Sequence, residues 1–107
     1  MFKISSDPKF THDVKVMVPV DGGHSEQSFK VTYRVVDADE MMDTADLEGQ
    51  TALLRRIVCH MDDLIGEDKQ KVEYSDDLRD RLIRVPYIRS ALLQSYLRAV
   101  TKAREGN

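Results

Sequence analysis

A chain of 107 residues with 41% hydrophobic and 33% charged side chains has the composition of an ordinary globular domain and room for one core, which excludes both a disordered chain and a two-domain protein. No apolar run approaches the length of a membrane span and the first fifteen residues lack a signal-peptide core, so a cytoplasmic protein that stays where it is made is expected. The net charge of −3 argues against a general nucleic-acid binder, and the lone Cys59 excludes an internal disulfide.

Residues 1–13, with Ser5-Ser6-Asp7-Pro8, read as a loose tail. From Val14 the pattern becomes period two: Val14, Val16, Val18 and Val20 share one face, and Lys15, Met17 and Pro19 share the other. Asp21-Gly22-Gly23 supplies the positive φ angles of a turn, after which Phe29, Val31, Tyr33 and Val35 alternate with Lys30, Thr32 and Arg34. Residues 14–36 are thus predicted to form an antiparallel hairpin with one apolar face. Pro19, which has no N–H to donate, should lie at the strand's end or on a sheet edge.

Residues 37–107 read as helical. Asp37 with Glu40 matches a capping box for a short helix carrying Met41, Met42 and Ala45 inward. After Gly49, Thr51 can cap a second helix in which Leu53, Leu54, Ile57, Val58, Met61, Leu64 and Ile65 share one arc, with Gly66 as its stop and Cys59 off the core face. Glu67 to Lys71 is a polar loop, and Val72 and Tyr74 suggest a brief extended segment. Ser75 starts a third helix through Leu78, Leu82 and Ile83, and Val85-Pro86 ends it. The last helix is expected from about Pro86 to Arg104. The predicted fold class is α+β, a single domain in which an N-terminal antiparallel hairpin packs on three to four helices.

The inventory of chemical parts is thin. Cys59 and His60 are adjacent on the predicted helix and point about 100° apart, and His12 and His24 fall near opposite ends of a strand, so no metal site and no cofactor are expected. The acidic pairs Asp62-Asp63, Glu67-Asp68 and Asp76-Asp77 lack the regular calcium-loop spacing, and no phosphate-binding glycine loop or nucleophile elbow occurs. A non-enzymatic protein is the expectation. Two features suggest binding instead. The last helix carries Leu93, Leu97 and Val100 beside its main stripe of Ile88, Leu92, Tyr96, Ala99 and Ala103, an apolar arc wider than one core requires. Either the hairpin covers this surplus or a partner helix does. Charge is also polarised, −8 between Asp37 and Asp68 and +6 between Arg79 and Arg104, so Arg89 and Arg98 are candidates for self-association into a homo-oligomer. The alternative reading takes the Arg-rich helices of residues 75–100 as a small DNA-binding regulator, against which stand the glycine-free joint and the overall acidity.

The order of features resembles a known family. A valine-rich strand ending in Pro19 to Gly23 leads to Phe29-Lys30-Val31-Thr32-Tyr33-Arg34, an acidic helix, and a leucine-rich segment with Cys59 to Asp63. Tyr74-Ser75-Asp76-Asp77-Leu78 follows, then Leu82-Ile83 before Pro86, and a closing helix ending in Lys102 to Asn107. This arrangement, over roughly residues 14–107, is similar to the small tail assembly chaperones encoded between the major tail protein and the tape measure protein of long-tailed bacteriophages. Members of that family often have tryptophan or glycine where Cys59 to Asp63 lies and a clear turn after it; here the loop Gly66 to Lys71 is lysine-rich. The resemblance implies a non-enzymatic factor of the host cytoplasm that coats the tape measure protein, helps recruit tail tube protein, and is absent from the finished virion. Many such genes also make a longer product by ribosomal frameshifting.

Overall fold

The computed structural model describes residues 1–42 and 44–102. Its elements run β1 (Lys9–Val20), β2 (Gly23–Arg34), α1 (Ala38–Met41), α2 (Leu47–Ile57), β3 (Val58–Asp62), α3 (Asp76–Ile83) and α4 (Pro86–Thr101). The architecture is α+β: an antiparallel sheet in the order β1-β2-β3 with helices packed on it. The hairpin pairs from Lys9 opposite Arg34 to Val20 opposite Gly23. In its turn Gly22 takes a positive φ, 77°, which is what a type II turn demands of its third residue. Val14, Val16, Phe29, Val31 and Tyr33 are buried on the inner face, while Thr11 pairs with Thr32 and Asp13 with Lys30, each at 2.8 Å, on the outer one.

Four expectations are corrected. The strand begins at Lys9 rather than Val14, so residues 9–13 are not a loose tail. Full pairing with β2 holds them, and Phe10 lies against Tyr33 with ring centroids 5.4 Å apart. Val35 is exposed and Val36 is buried in its place, because the strand ends at Arg34 and the chain turns. Asp37 caps α1 through its backbone only; Glu40 is drawn off to Arg56 at 3.1 Å, and Met42 and Ala45 face outward.

The largest correction concerns the second helix. It starts earlier, with Asp46 accepting a hydrogen bond from the Gly49 amide at 2.8 Å, and stops at Ile57. Val58 is extended, with φ −81° and ψ 111°, and leads directly into a third strand opposite Lys30 to Tyr33. An arc of apolar residues at 100° spacing satisfies a helix. Open backbone donors and acceptors along β2 need a partner strand, however, and Val58 and Met61 bury equally well on a sheet. Pairing jumps from Thr32–His60 to Tyr33–Val58, leaving Cys59 as the extra residue of a bulge. Beyond β3, Leu64 to Val72 form a second tight turn closed by Gly66 N–H to Gln70 O and Val72 N–H to Leu64 O. Gly66 therefore shapes a turn rather than stopping a helix.

The third helix follows the sequence closely: the Ser75 hydroxyl accepts from the Leu78 amide at 3.0 Å. Arg79 donates to its neighbour Asp80 at 3.1 Å and ties α3 to β3 by donating to the Val58 carbonyl at 3.4 Å. Pro86 opens α4, which is helical through Thr101; the expected extension to Ala103 and Arg104 lies outside the described residues.

Leu53, Leu54 and Ile57 of α2, Val58 and Met61 of β3, Ile83 of α3, and Leu92 and Tyr96 of α4 complete the core against the hairpin. Two tyrosines lock it. The Tyr33 hydroxyl donates to the Leu92 carbonyl at 3.0 Å, and the Tyr96 hydroxyl donates to the Arg34 carbonyl at 3.0 Å while accepting from the Val36 amide at 3.1 Å. Burial raises both phenols above their ordinary value of about 10. A raised phenol pKa favours the neutral form in the folded state, so the stability it contributes is complete below about pH 10 and is lost as pH rises further. Chemical denaturation between pH 8 and 11.5 should show that fall, and Tyr33→Phe should flatten it. Tyr96→Phe, which orphans the buried Val36 amide, should cost about 1–3 kcal/mol. Tyr33→Phe should cost less, since Leu92 O keeps its helical partner.

Candidate functional site

The inner face of the hairpin outruns its cover. β3 spans only five residues and pairs no farther toward the turn than Lys30, so the stretch around Val16, Val18 and Phe29 is met on one side by the Leu64-Ile65 turn and on the other by the corner between α3 and α4. Between these walls lies an open groove of about 370 Å³, lined by Val16, Val18, Phe29, Leu64, Ile65, Leu82, Tyr87 and Ile88, with Gln27, Ser28 and Asp63 as its polar edge. Val16 and Phe29 form a buried floor, while Ile65 and Tyr87 stand 69% and 37% exposed. Asp63, at φ 61°, occupies the left-handed region that aspartate tolerates better than most residues.

Such a groove offers apolar contact from the hairpin, the Leu64-Ile65 turn and the corner between α3 and α4. Among the described residues no three His, Cys, Asp or Glu side chains converge as metal ligands. His60 packs against Tyr74, ring centroids 5.1 Å apart, and Cys59 is half-buried with its thiol toward the Ile57 carbonyl. The Tyr74 phenol, pushed up to about 12 by burial and by its hydrogen bond to Asp76, serves the packing of α3.

The surplus arc of the last helix divides. Leu93 and Val100 are half-buried and pack against the core, while Leu97 is 39% exposed. The three do not form one free stripe. Arg89 and Arg98 also part company. Arg89 donates to the Ile83 carbonyl at 3.3 Å and so closes the C-terminal end of α3. Arg98 is exposed beside a polar cleft with Asp13, Lys15, Gln94 and Ser95. Sequence reasoning missed Ile65 and Tyr87 as surface residues. The apolar arc that joins Ile65 to α2 belongs to a helix that ends eight residues earlier, at Ile57, and Val58 to Met61, buried three residues apart, carries no period-two signal of the strand.

Comparison with family models, with curated proteins and with solved structures yields no match to this chain. Among the described residues no helix is long and apolar enough to cross a membrane.

The charge asymmetry survives folding. Among the described residues no ion pair joins an acidic group of 37–68 to a basic group of 79–102; Arg79 is met by Asp76 and Asp80, and Arg55 reaches Asp80 at 3.4 Å. The two basic candidates should therefore respond differently. Arg98→Glu should leave the melting temperature within about 2 °C, as an exposed substitution with no partner to lose, whereas Arg89→Glu should lower it by roughly 4–8 °C through loss of a charge-assisted bond worth about 1 kcal/mol or more. Differential scanning calorimetry of the two variants checks this.

Proposed function

We propose that this protein is a non-enzymatic tail assembly chaperone that acts in the host cytoplasm, binds a helical segment of a tape measure protein and helps recruit tail tube protein. The observation that carries the reading is the apolar groove with its exposed Ile65 and Tyr87 rim, built on a chain whose order of motifs is similar to that family. A tape measure protein is a long helical chain that must not aggregate before the tube forms around it, so its apolar side chains need temporary cover. A groove of about 370 Å³ lies near the small end of the range for binding pockets, roughly 300 to 1,000 Å³. It accepts one or two anchor side chains of an amphipathic helix, with i and i+4 spacing, rather than the whole helix.

The DNA-regulator alternative draws less support. Arg79 and Arg89 of the basic helices are engaged by carbonyls and carboxylates of their own chain, which withdraws them from phosphate contact.

Co-expression with the tape measure protein of the same phage tests the proposal. Ile65→Ser with Tyr87→Ser should abolish co-purification while leaving the melting temperature nearly unchanged, because both side chains are exposed. Leu93→Ser, by contrast, should destabilise the fold by several degrees, since it packs on the core. A complex that forms only with DNA and weakens steeply between 50 and about 200 mM salt would favour the alternative.

A further inference from the structure

We propose that residues 1–6 of one chain lie in the apolar groove of a second copy, with Phe2 and Ile4 as the anchoring side chains. Two surfaces of the same molecule lack cover. Phe2 and Ile4 are 90% and 88% exposed, an unusual state for a phenylalanine and an isoleucine two residues apart. The groove, with Ile65 and Tyr87 at its rim, is the complementary vacancy.

Geometry sets which copy's groove is used. The segment is held from Asp7 onward: the Asp7 carboxylate accepts from Arg34 at 3.2 Å, and the Pro8 carbonyl accepts from the Val35 amide at 3.0 Å. Phe2 lies five residues before that anchor and reaches at most about 18 Å from it. Val16 lies nine residues beyond it along β1, about 30 Å at strand rise. The arm therefore falls short of the hairpin wall of its own groove. A second copy has no such restriction.

Shape and charge agree with this occupant. In an extended segment Phe2 and Ile4 point to the same side, about 7 Å apart, which suits a short groove better than a helix face does. Lys3 between them points to the opposite side, away from the groove. The acidic segment 37–68 and the basic segment 79–102, unmatched within one chain, supply further attraction between copies.

The inference shares its groove with the tape measure reading and rests on that reading only in its consequence: the arm covers the groove in the free protein and yields it to the helical partner. Sedimentation equilibrium over a wide concentration range tests it, using the wild-type chain, an arm variant Phe2→Ser/Ile4→Ser and a rim variant Ile65→Glu/Tyr87→Glu. The wild type should associate with increasing concentration, and each variant should do so at least about tenfold more weakly. An equimolar mixture of the two variants should associate where neither does alone, because one supplies an intact groove and the other an intact arm. A wild type that stays monomeric, an arm variant that associates like wild type, or a mixture that stays monomeric overturns the proposal. Should the rim variant lose its fold, a peptide of residues 1–6 replaces the mixture: it should dissociate the wild-type assembly, and failure to do so overturns the proposal equally. The arm variant keeps its groove, so its co-purification with the tape measure protein reports on the chaperone reading separately from self-association.

Discussion

The reciprocal bonding of Tyr33 and Tyr96 sets the rest of the molecule. Each ring belongs to a different layer and delivers its hydroxyl to the other layer's backbone: Tyr33 from the central strand to the helix carbonyl of Leu92, and Tyr96 from the helix to both backbone groups flanking Val35. Phe10 stacks on the Tyr96 ring at a centroid distance of 6.1 Å and carries the contact to the outer strand. Apolar packing alone tolerates rotation and sliding at little cost. Buried hydroxyls do not, because each must meet its partner within hydrogen-bond distance or forfeit about 1–3 kcal/mol.

That lock has a consequence at a distance. Tyr96, Leu92 and Ile88 form one row at i, i+4 and i+8 on α4, so fixing the first two against Phe10, Tyr33 and the end of β2 carries Ile88, and Tyr87 beside it, toward the turn end of the hairpin. There they meet Val16, Val18 and Phe29 across the groove. The same phase turns Leu97 outward, leaves Leu93 and Val100 half-buried against the core, and sets Ala91, Ser95 and Arg98 beside Asp13 and Lys15 of β1. The groove is thus a by-product of a helix registered by its far end, on a hairpin that runs past its third strand.

Local signals revealed the hairpin, the Ser75 cap and the Pro86 start, because each depends on a few neighbouring residues and one period. The third strand was not legible for the opposite reason. Val58 to Asp62 continues the helical arc of α2 without a break, and only the unpaired edge of β2, distant in sequence, decides between the two conformations. Residues 9–13 failed differently: Lys9, Thr11, His12 and Asp13 offer little apolar contrast around Phe10, so a strand held by full backbone pairing has the composition of a tail. Placing Ile65 in a helix core hid the groove as well, since the groove exists only where the helix has already ended.

The energetics of so small a groove bear on how it works. Burying two anchor side chains yields roughly 1.5–3 kcal/mol each, while association costs several kcal/mol in lost translational and rotational freedom. A single engagement is accordingly weak and short-lived. On the chaperone reading this is an advantage, because cover that must be stripped as the tube assembles cannot be held by one tight site. On the same reading strength would come from number: many weakly held copies along one helical partner would bind as a multivalent coat whose members each leave easily. The same arithmetic limits the arm. On the proposed arm contact, two side chains on a tether of six residues would occupy a neighbour's groove only while no better apolar segment is present, so that a groove suited to weak contact would be both protected and available.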